Sequence, residues 1–175
     1  MRSSVLLFIL ILSTLSLSAQ NAIIIKSPND IPINDPKPKI FLGGSIDMGN
    51  VENWQAQIEM QLADMNVILL NPRRDHWDKT WKPISSDPNF KEQVEWELMA
   101  LEEADIIIMY FAPHSQSPIS LLELGLYAKT DKLMVVCPEG YWRKGNVDIL
   151  AETYNIPMYE DLNQLITALK TRVKN

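Results

Sequence analysis

Short apolar runs alternate with longer amphipathic segments along most of this chain. Runs rich in Ile, Leu, Val and Met predict buried strands at residues 40–42, 67–70, 105–111, 133–137 and 157–159. Apolar residues at helical spacing predict helices at residues 51–65, 90–103, 119–129, 147–154 and 162–173. The pattern therefore places one helix after each strand.

This alternation determines the fold class. Each strand–helix–strand unit forms a right-handed crossover, so the strands lie parallel in one sheet with helices on both faces. The sequence predicts an α/β fold with a flavodoxin-like, doubly wound, five-stranded parallel sheet. Ligands bind to such sheets beyond the carboxyl ends of the strands, where the strand order reverses. The loops after the first, third and fourth strands are therefore expected to surround one crevice.

The N-terminal part of the chain is unlike the rest. Residues 1–20 contain Arg2, an apolar run and a small-residue end, which predicts a secreted or periplasmic protein if this secretory leader is cleaved. The alternative is a hydrophobic leader on a cytoplasmic protein, because Leu17 is large for a cleavage-site position. The apolar run is too short to span a membrane, so we expect no stable membrane anchor. Residues 21–38 contain four prolines and predict an extended tether, which leaves residues 39–175 as the folded domain.

Charge and cysteine content narrow the choice of partners. With 22 acidic and 16 basic residues the chain has a net charge of -6. That balance argues against binding of nucleic acid polymers, because such binding uses Lys and Arg to neutralise phosphates. A small-molecule ligand is the better prediction. Cys137 is the only cysteine and, with two separated histidines, does not form a zinc site, so no metal is predicted.

One carboxylate, Glu123, lies in an apolar segment after the third predicted strand. Burial disfavours the charged form of a carboxyl group and raises its pKa, which makes Glu123 a candidate catalytic residue. A structural alternative is a capping box, in which Ser120 caps a helix start and Glu123 reaches back to a backbone N–H. The segment alone leaves both interpretations open.

The loop after the first predicted strand contains two consecutive glycines. Gly43 and Gly44 let a ligand oxygen approach backbone N–H groups, and they also suit an ordinary tight turn. The loop is not a Gly-x-Gly-x-x-Gly motif, so no dinucleotide cofactor is expected. We interpret residues 43–47 as the rim of a sugar or phosphate site.

Four segments, in order, resemble one known family. They are residues 40–46 (Ile-Phe-Leu-Gly-Gly-Ser-Ile), 71–75 (Asn-Pro-Arg-Arg-Asp), 95–97 (Glu-Trp-Glu) leading to 104–107 (Ala-Asp-Ile-Ile), and 121–125 (Leu-Leu-Glu-Leu-Gly). Together they are similar to the nucleoside 2-deoxyribosyltransferase-like family over about residues 39–170. The ordered set is more specific than any single segment.

This resemblance implies glycosyl transfer at the anomeric carbon of a deoxyribose. The family's nucleophile is the Glu of its Glu-Leu-Gly motif, which falls on Glu123, where a covalent sugar–enzyme ester forms as the N-glycosidic bond breaks. The acid that handles the base is an Asp in the transferases and falls on Glu97, one methylene longer. Without the resemblance, Glu97 is better interpreted as a solvated acid on a helix face.

The resemblance also implies binding residues and an assembly. The substrate-binding positions are Phe41, Gly43, Gly44, Ser45, Asp47, Ser117 and Asn146. Asn146 corresponds to an Asn that a neighbouring subunit supplies in the family, so a homo-oligomer with closed symmetry is expected. Taken alone, Asn146 is a helix N-cap.

Position 117 departs from the family pattern. The transferases have an Asp six residues before the nucleophile, and this chain has Ser117. A neutral hydroxyl at a helix N-terminus suits a phosphate better than a carboxylate does, which favours a 5′-nucleotide, as in the related deoxynucleoside-monophosphate hydrolases. A plain helix cap before Pro118 explains the serine at least as well.

Loop residues outside these motifs have two interpretations each. The arginines at positions 73 and 74 either clamp a phosphate or pair with the nearby aspartates Asp75, Asp78 and Asp87. Four aromatic residues either stack on a nucleobase or seal a subunit interface: Trp77, Trp81, Tyr141 and Trp142. His114 either protonates a leaving base or is only solvated.

These arguments predict N-glycosidic bond cleavage or 2-deoxyribosyl transfer on deoxynucleosides or their 5′-monophosphates. A covalent intermediate on Glu123, with Glu97 in support, carries the reaction, and the expected partner is a small-molecule nucleoside or nucleotide with no cofactor. The alternative is a non-catalytic nucleotide-binding module that retains the fold, because a fold alone does not determine a function.

Overall fold

The computed structural model describes residues 21–46, 51–78 and 80–174. Six strands lie within these residues: β1 (Ile23–Lys26), β2 (Lys39–Gly44), β3 (Ile68–Asn71), β4 (Ile106–Tyr110), β5 (Leu133–Val136) and β6 (Met158–Tyr159). The same residues form five helices: α1 (Trp54–Gln61), α2 (Pro88–Glu103), α3 (Pro118–Tyr127), α4 (Lys144–Tyr154) and α5 (Leu162–Lys174). The predicted leader, residues 1–20, and Asp47 lie outside the described residues.

The strands form one parallel sheet in the order β1-β3-β2-β4-β5-β6. Strands β2 to β5 are almost entirely buried, because helices cover both faces of the sheet. Apolar side chains of α2, α3 and α4 pack on one face, around Phe41 and Ile107. Those of α1 and α5 pack on the other, around Leu42 and Ile108. The α/β class and the parallel sheet agree with the sequence prediction.

The prediction of five strands is wrong, because β1 adds a sixth at the edge of the sheet. This strand lies in the segment that we predicted to be a tether, and it pairs with β3 from Ile23 to Lys26. The prolines that argued against regular structure begin only after it, at Pro28. They therefore remove no hydrogen-bond donor from the strand itself.

The segment after β1 packs against α2. Ile31 is buried in the same apolar cluster as Trp96, and Trp96 Nε1 donates a hydrogen bond of 2.8 Å to the carbonyl oxygen of Asn29. The Ser27 hydroxyl donates a buried hydrogen bond of 2.7 Å to the Gln93 side chain. The N-terminal strand is thus joined to the helix that forms one wall of the crevice described below.

Helix starts differ from two of the sequence interpretations. Helix α3 begins at Pro118 with Ser117 as its N-cap, so Ser120 lies inside the helix and the capping box with Glu123 is wrong. Helix α4 begins at Lys144 with Arg143 as its N-cap, so Asn146 is not a cap. The cap at Ser117 before Pro118 is confirmed by position, although its side chain makes no capping hydrogen bond.

The strand order reverses between β2 and β4, which are neighbours in the sheet. The chain passes from β2 to α1 on one face and from β4 to α3 on the other face. A crevice therefore opens between the two loops at the carboxyl ends of these strands. Among the described residues, no helix is both long enough and apolar enough to span a membrane.

Candidate active site

A cavity of about 390 Å³ lies at this reversal of strand order. Its walls come from the end of β2, the loop after β3, α2 and the first turns of α3. The lining residues that bear on the chemistry are Phe41, Gly43, Gly44, Trp77, Gln93, Glu97, Ser117 and Glu123. The rest of the lining is mainly apolar, and Glu97 and Glu123 are its only charged members among the described residues. The two carboxyl groups therefore share a largely apolar site.

Glu123 is the more strongly perturbed of the two acids. It lies on the inner side of α3 and is 8% exposed. Burial, and secondarily the charge of Glu97, raises the pKa of the Glu123 carboxyl to about 8. No described side chain donates a hydrogen bond to it. Because neither a donor nor a cation stabilises its charged form, Glu123 holds a proton in the free protein near neutral pH.

Glu97 lies across the cavity on α2 and has more support for a negative charge. Burial raises the pKa of this carboxyl, while a hydrogen bond from Gln93 and the positive charge of Arg74 oppose that rise. Gln93 Nε2 donates to Glu97 Oε1 at 2.7 Å. The two acids are thus inequivalent, which is the arrangement that lets one carboxyl hold a proton while the other is ionised.

Both glycines at the end of β2 are required by close packing. A Cβ on Gly43 would lie 2.9 Å from the Phe41 ring and 3.0 Å from the sulfur of Met109. Gly44 has φ +135°, and a Cβ there would overlap the backbone of Tyr110. The loop continues to Ser45, whose carbonyl oxygen accepts a 2.9 Å hydrogen bond from Trp54 Nε1. This rim is therefore held close to β4.

Three serine hydroxyls meet where the β2 and β4 loops touch. Ser45 Oγ lies 2.7 Å from Ser115 Oγ and 2.6 Å from Ser117 Oγ, and the last two are 3.0 Å apart. The backbone N–H of Ala112 donates to Ser45, and Ser115 donates to the carbonyl oxygen of Ala112. Ser117 has φ +44°, a left-handed conformation that a non-glycine residue rarely adopts. This serine cluster holds Ser117 at the cavity edge.

An aromatic wall from the loop after β3 closes another side. Trp77 is 44% exposed and lines the cavity, with its ring centroid 5.0 Å from that of Trp81. The Arg74 guanidinium lies 5.1 Å from the Trp81 ring and donates to Glu92 at 2.8 Å. Arg74 is therefore engaged within the protein. It pairs with Glu92, so the expected pairing with one of the nearby aspartates is wrong for this arginine.

The loop after β5 supports the site without lining it. Tyr141 Oη and Trp142 Nε1 both donate to the carbonyl oxygen of Gln116, at 3.1 and 3.0 Å. The His114 N–H donates to the carbonyl oxygen of Gly140, and the His114 side chain is exposed outside the cavity. The loop after β5 thus braces the loop after β4.

A larger cavity of about 780 Å³ lies at the carboxyl ends of β5 and β6. Lys144 lines it, and its Nζ donates to Asp148 at 2.8 Å. This cavity is away from the reversal of strand order and contains neither Glu97 nor Glu123. The smaller cavity is therefore the better candidate for chemistry.

Comparison with known proteins identifies the family. Residues 37–141, more than half of the chain, match the family described as nucleoside 2-deoxyribosyltransferase like. The chain belongs to this family. The fold is similar to that of a solved conserved protein from Enterococcus faecalis V583, with a TM-score of 0.53 and 14% sequence identity over 78% of this chain and 99% of that chain. This likeness concerns the fold alone, and no curated protein matches the chain at a significant level.

The nucleoside 2-deoxyribosyltransferase-like match contains most of the predicted site residues. Phe41, Gly43, Gly44, Glu97, Ser117 and Glu123 all line the one cavity. Ser45 is buried behind Ser117 and does not line it. Asn146 lies beyond the matched residues, exposed on α4 and outside the lining of the cavity.

Of the cavity residues that were not predicted as site residues, Gln93 and Trp77 are the two that bear on the chemistry. Gln93 lies four residues before Glu97, and this spacing is the signal in the sequence that would have placed it beside the acid. Trp77 was one of four loop aromatics with equivalent interpretations, and only the path of the loop after β3 brings it to the cavity.

Proposed function

We propose that this protein cleaves the N-glycosidic bond of 2′-deoxynucleosides or their 5′-monophosphates, or transfers their deoxyribosyl group. The observation that carries the proposal is the pair of inequivalent carboxyl groups in one apolar cavity, at the reversal of strand order, in a member of this family. Burial gives one acid a proton near neutral pH, while the other has donors for its charged form. Glycosidic chemistry uses two carboxyl groups in such different states.

In the proposed reaction Glu123 is the nucleophile and Glu97 handles the proton. The Glu123 proton passes to Glu97, and the freed Glu123 carboxylate forms a bond to C1′ as the C1′–N bond breaks. The electron pair of that bond leaves with the base, which takes the proton from Glu97. Water or a second base then attacks C1′ and gives a proton to the Glu97 carboxylate, while the C1′–O bond breaks and frees the Glu123 carboxylate, with net retention at C1′.

Ser117 and the start of α3 support a 5′-monophosphate as substrate. The first amide groups of a helix have no partners within the helix and favour an anion. Ser117 adds a hydroxyl at the cavity edge where a carboxylate would repel phosphate. We therefore expect deoxynucleoside monophosphates to be processed with a lower KM than the corresponding nucleosides.

Trp77 supports a nucleobase in the same cavity. Its half-exposed ring lines the cavity and is braced by Trp81, so it presents a fixed apolar surface of the kind on which a base stacks. Trp77→Ala is expected to raise KM more than it lowers kcat. Tyr154→Ala, which removes a similarly exposed aromatic residue outside the cavity, is the matched control.

A homo-oligomer is part of the proposal. The exposed face of α3 consists of apolar side chains, with Ile119 57%, Leu122 69% and Leu126 61% exposed, and the helix carries no charge apart from the buried Glu123. A helix that is apolar all round is normally buried, and this one borders the open side of the cavity. A second copy that packs here would cover the face and bring new residues near the site.

Analytical ultracentrifugation tests the assembly. We expect the wild type to sediment as an oligomer and Leu122→Lys to shift it toward monomer, because a charge would be buried at the interface. Met60→Lys, at a residue 69% exposed on α1, should leave the sedimentation unchanged. A monomeric wild type would overturn this part of the proposal.

Turnover is tested on a panel of deoxynucleosides and deoxynucleoside monophosphates, with and without a second free base, by chromatography. Release or exchange of the base would support the enzyme if Glu123→Gln abolishes that activity. Exchange with the second free base would distinguish a transferase from a hydrolase. Glu95→Gln, on the exposed side of α2, is the matched control. Ligand binding without any turnover would instead support the alternative, a non-catalytic nucleotide-binding module.

A further inference from the structure

Gln93 is a buried amide with a hydrogen bond at every position that it offers. Its Oε1 accepts from the Ser27 hydroxyl at 2.7 Å and from Arg74 Nε. Its Nε2 donates to the Pro72 carbonyl oxygen at 2.9 Å and to Glu97 Oε1 at 2.7 Å. The side chain is 4% exposed, so these partners and not water determine its orientation.

The partners allow one orientation of the amide. Arg74 has donors only, and the Pro72 carbonyl has acceptors only. A flipped amide would place its N–H groups against Arg74 and its oxygen against Pro72 and the Glu97 carboxylate. Every one of these contacts would then be repulsive. The geometry around Gln93 therefore directs an N–H group at Glu97.

We propose, on the basis of the function proposed above, that Gln93 is a positioning residue for Glu97 and that the N-terminal strand, through Ser27, holds it in that role. Gln93 fixes Glu97 as the acceptor of a hydrogen bond and keeps the negative charge of the carboxyl pair on α2. Glu123 then holds the proton in the free protein. Ser27 directly follows β1 and lies outside residues 37–141 that match the family, so this support comes from the N-terminal segment that adds a strand to the family's part of the sheet.

Few other groups act on Glu97. From α3 it faces Glu123, and from the loop after β3 it faces Arg74, whose charge is shared with Glu92 on α2. The described residues that β2 contributes to the cavity are uncharged. Loss of the Gln93 donor should therefore be visible directly in the titration of Glu97.

The test is a carbon-13 NMR titration of the Glu97 side-chain carboxyl in the full chain. Gln93→Met keeps the length of the side chain but removes its donors, and it should move the Glu97 titration to higher pH. Ser27→Ala should move it in the same direction by less, because Arg74 still holds the amide. Asn29→Ala is the matched control in the same segment, since the hydrogen bonds of Asn29 use only its backbone groups, and it should leave the titration in place.

An unchanged Glu97 titration in folded Gln93→Met would overturn the inference. If that variant does not fold, Ser27→Ala decides, and a titration identical to that of Asn29→Ala overturns it. The measurement does not depend on turnover. Suppose that the wild type shows no turnover but that Gln93→Met still shifts the Glu97 titration. That result would refute the proposed function and leave the positioning role of Gln93 in place.

Discussion

At the scale of single residues, the shared cavity makes the ionisation of two acids interdependent. Glu97 raises the pKa of Glu123, although burial is the larger cause. Loss of the first proton leaves one acid charged, and loss of the second places two negative charges in an apolar site. In the proposed reaction, the protonation state with a single shared proton is therefore the one that would supply both a nucleophile and an acid.

The pH dependence of turnover follows from this pairing. We expect kcat/KM to form a bell, with an acid limb where the pair loses its first proton and an alkaline limb near pH 8 where Glu123 ionises and the last proton is lost. The check is a pH–rate series in buffers of constant ionic strength. A kcat/KM that still rises at pH 9 would contradict the single-proton requirement, and Glu95→Gln should leave both limbs in place.

Stability should change with pH for the same reason. The pKa of Glu123 is about 8 in the folded chain against an ordinary value of 4.5, so the unfolded chain binds fewer protons between these values. Its contribution to the free energy of unfolding is complete below about pH 4.5 and is lost as pH rises through about 8, by on the order of a few kcal/mol. Glu123→Gln should remove this loss. The urea midpoint of the variant should therefore rise relative to that of the wild type when the pH is raised from 5 to 8. Equal differences at both pH values would contradict the buried acid.

At the scale of elements, the end of β2 depends on the positive φ of Gly44. Gly44→Ala should lower the free energy of unfolding by about 2 kcal/mol or more, because φ is +135° and the new Cβ meets the Tyr110 backbone. Gly145→Ala is the control: its Cβ meets no atom within 4 Å in the first turn of α4, and alanine there should stabilise by up to about 1 kcal/mol. Urea denaturation of both variants measures the difference. A Gly44→Ala midpoint equal to that of wild type would show that the loop relaxes.

The elements that the sequence predicts best are those whose physics is local. Runs such as Ile106–Tyr110 are too apolar to be anything but buried, and α3 was placed to within two residues at each end. Ile23–Lys26 was missed because an edge strand needs only one partner, and that partner, β3, is distant in sequence. Glu123 was predicted from its apolar segment and then from a family motif, and Glu97 from the family pattern alone. Gln93, in contrast, looks like any polar residue of an amphipathic helix until the fold brings Ser27 beside it.

At the scale of the whole molecule, the N-terminal segment adds the edge strand β1 to the sheet and packs against α2, the helix that forms one wall of the candidate site. Removal of residues 21–36 should lower the free energy of unfolding by several kcal/mol relative to a chain that begins at residue 21. The deletion exposes the edge of β3, takes Ile31 from the core and leaves Trp96 Nε1 without its acceptor. Urea midpoints of the two chains provide the check. Equal midpoints would show that the strand lies on the sheet without stabilising it.

The serine cluster joins the two loops of the crevice through rotatable hydroxyls. Ser115 donates to the carbonyl oxygen of Ala112, so its hydroxyl direction is fixed. The hydroxyls of Ser45 and Ser117 can rotate, and either can donate to the other. If Ser117 donates its hydrogen bond to a phosphate oxygen, the Ser45 hydroxyl can rotate to donate to Ser117. If a 5′-hydroxyl donates to Ser117 instead, the Ser117 hydroxyl can rotate to donate to Ser45. The same positions of the three oxygens can therefore accommodate a ligand group that accepts a hydrogen bond or one that donates it. Under the proposed function the hydroxyls alone would accept a nucleoside and a nucleotide equally, and a preference for the nucleotide would come from the backbone amides at the start of α3.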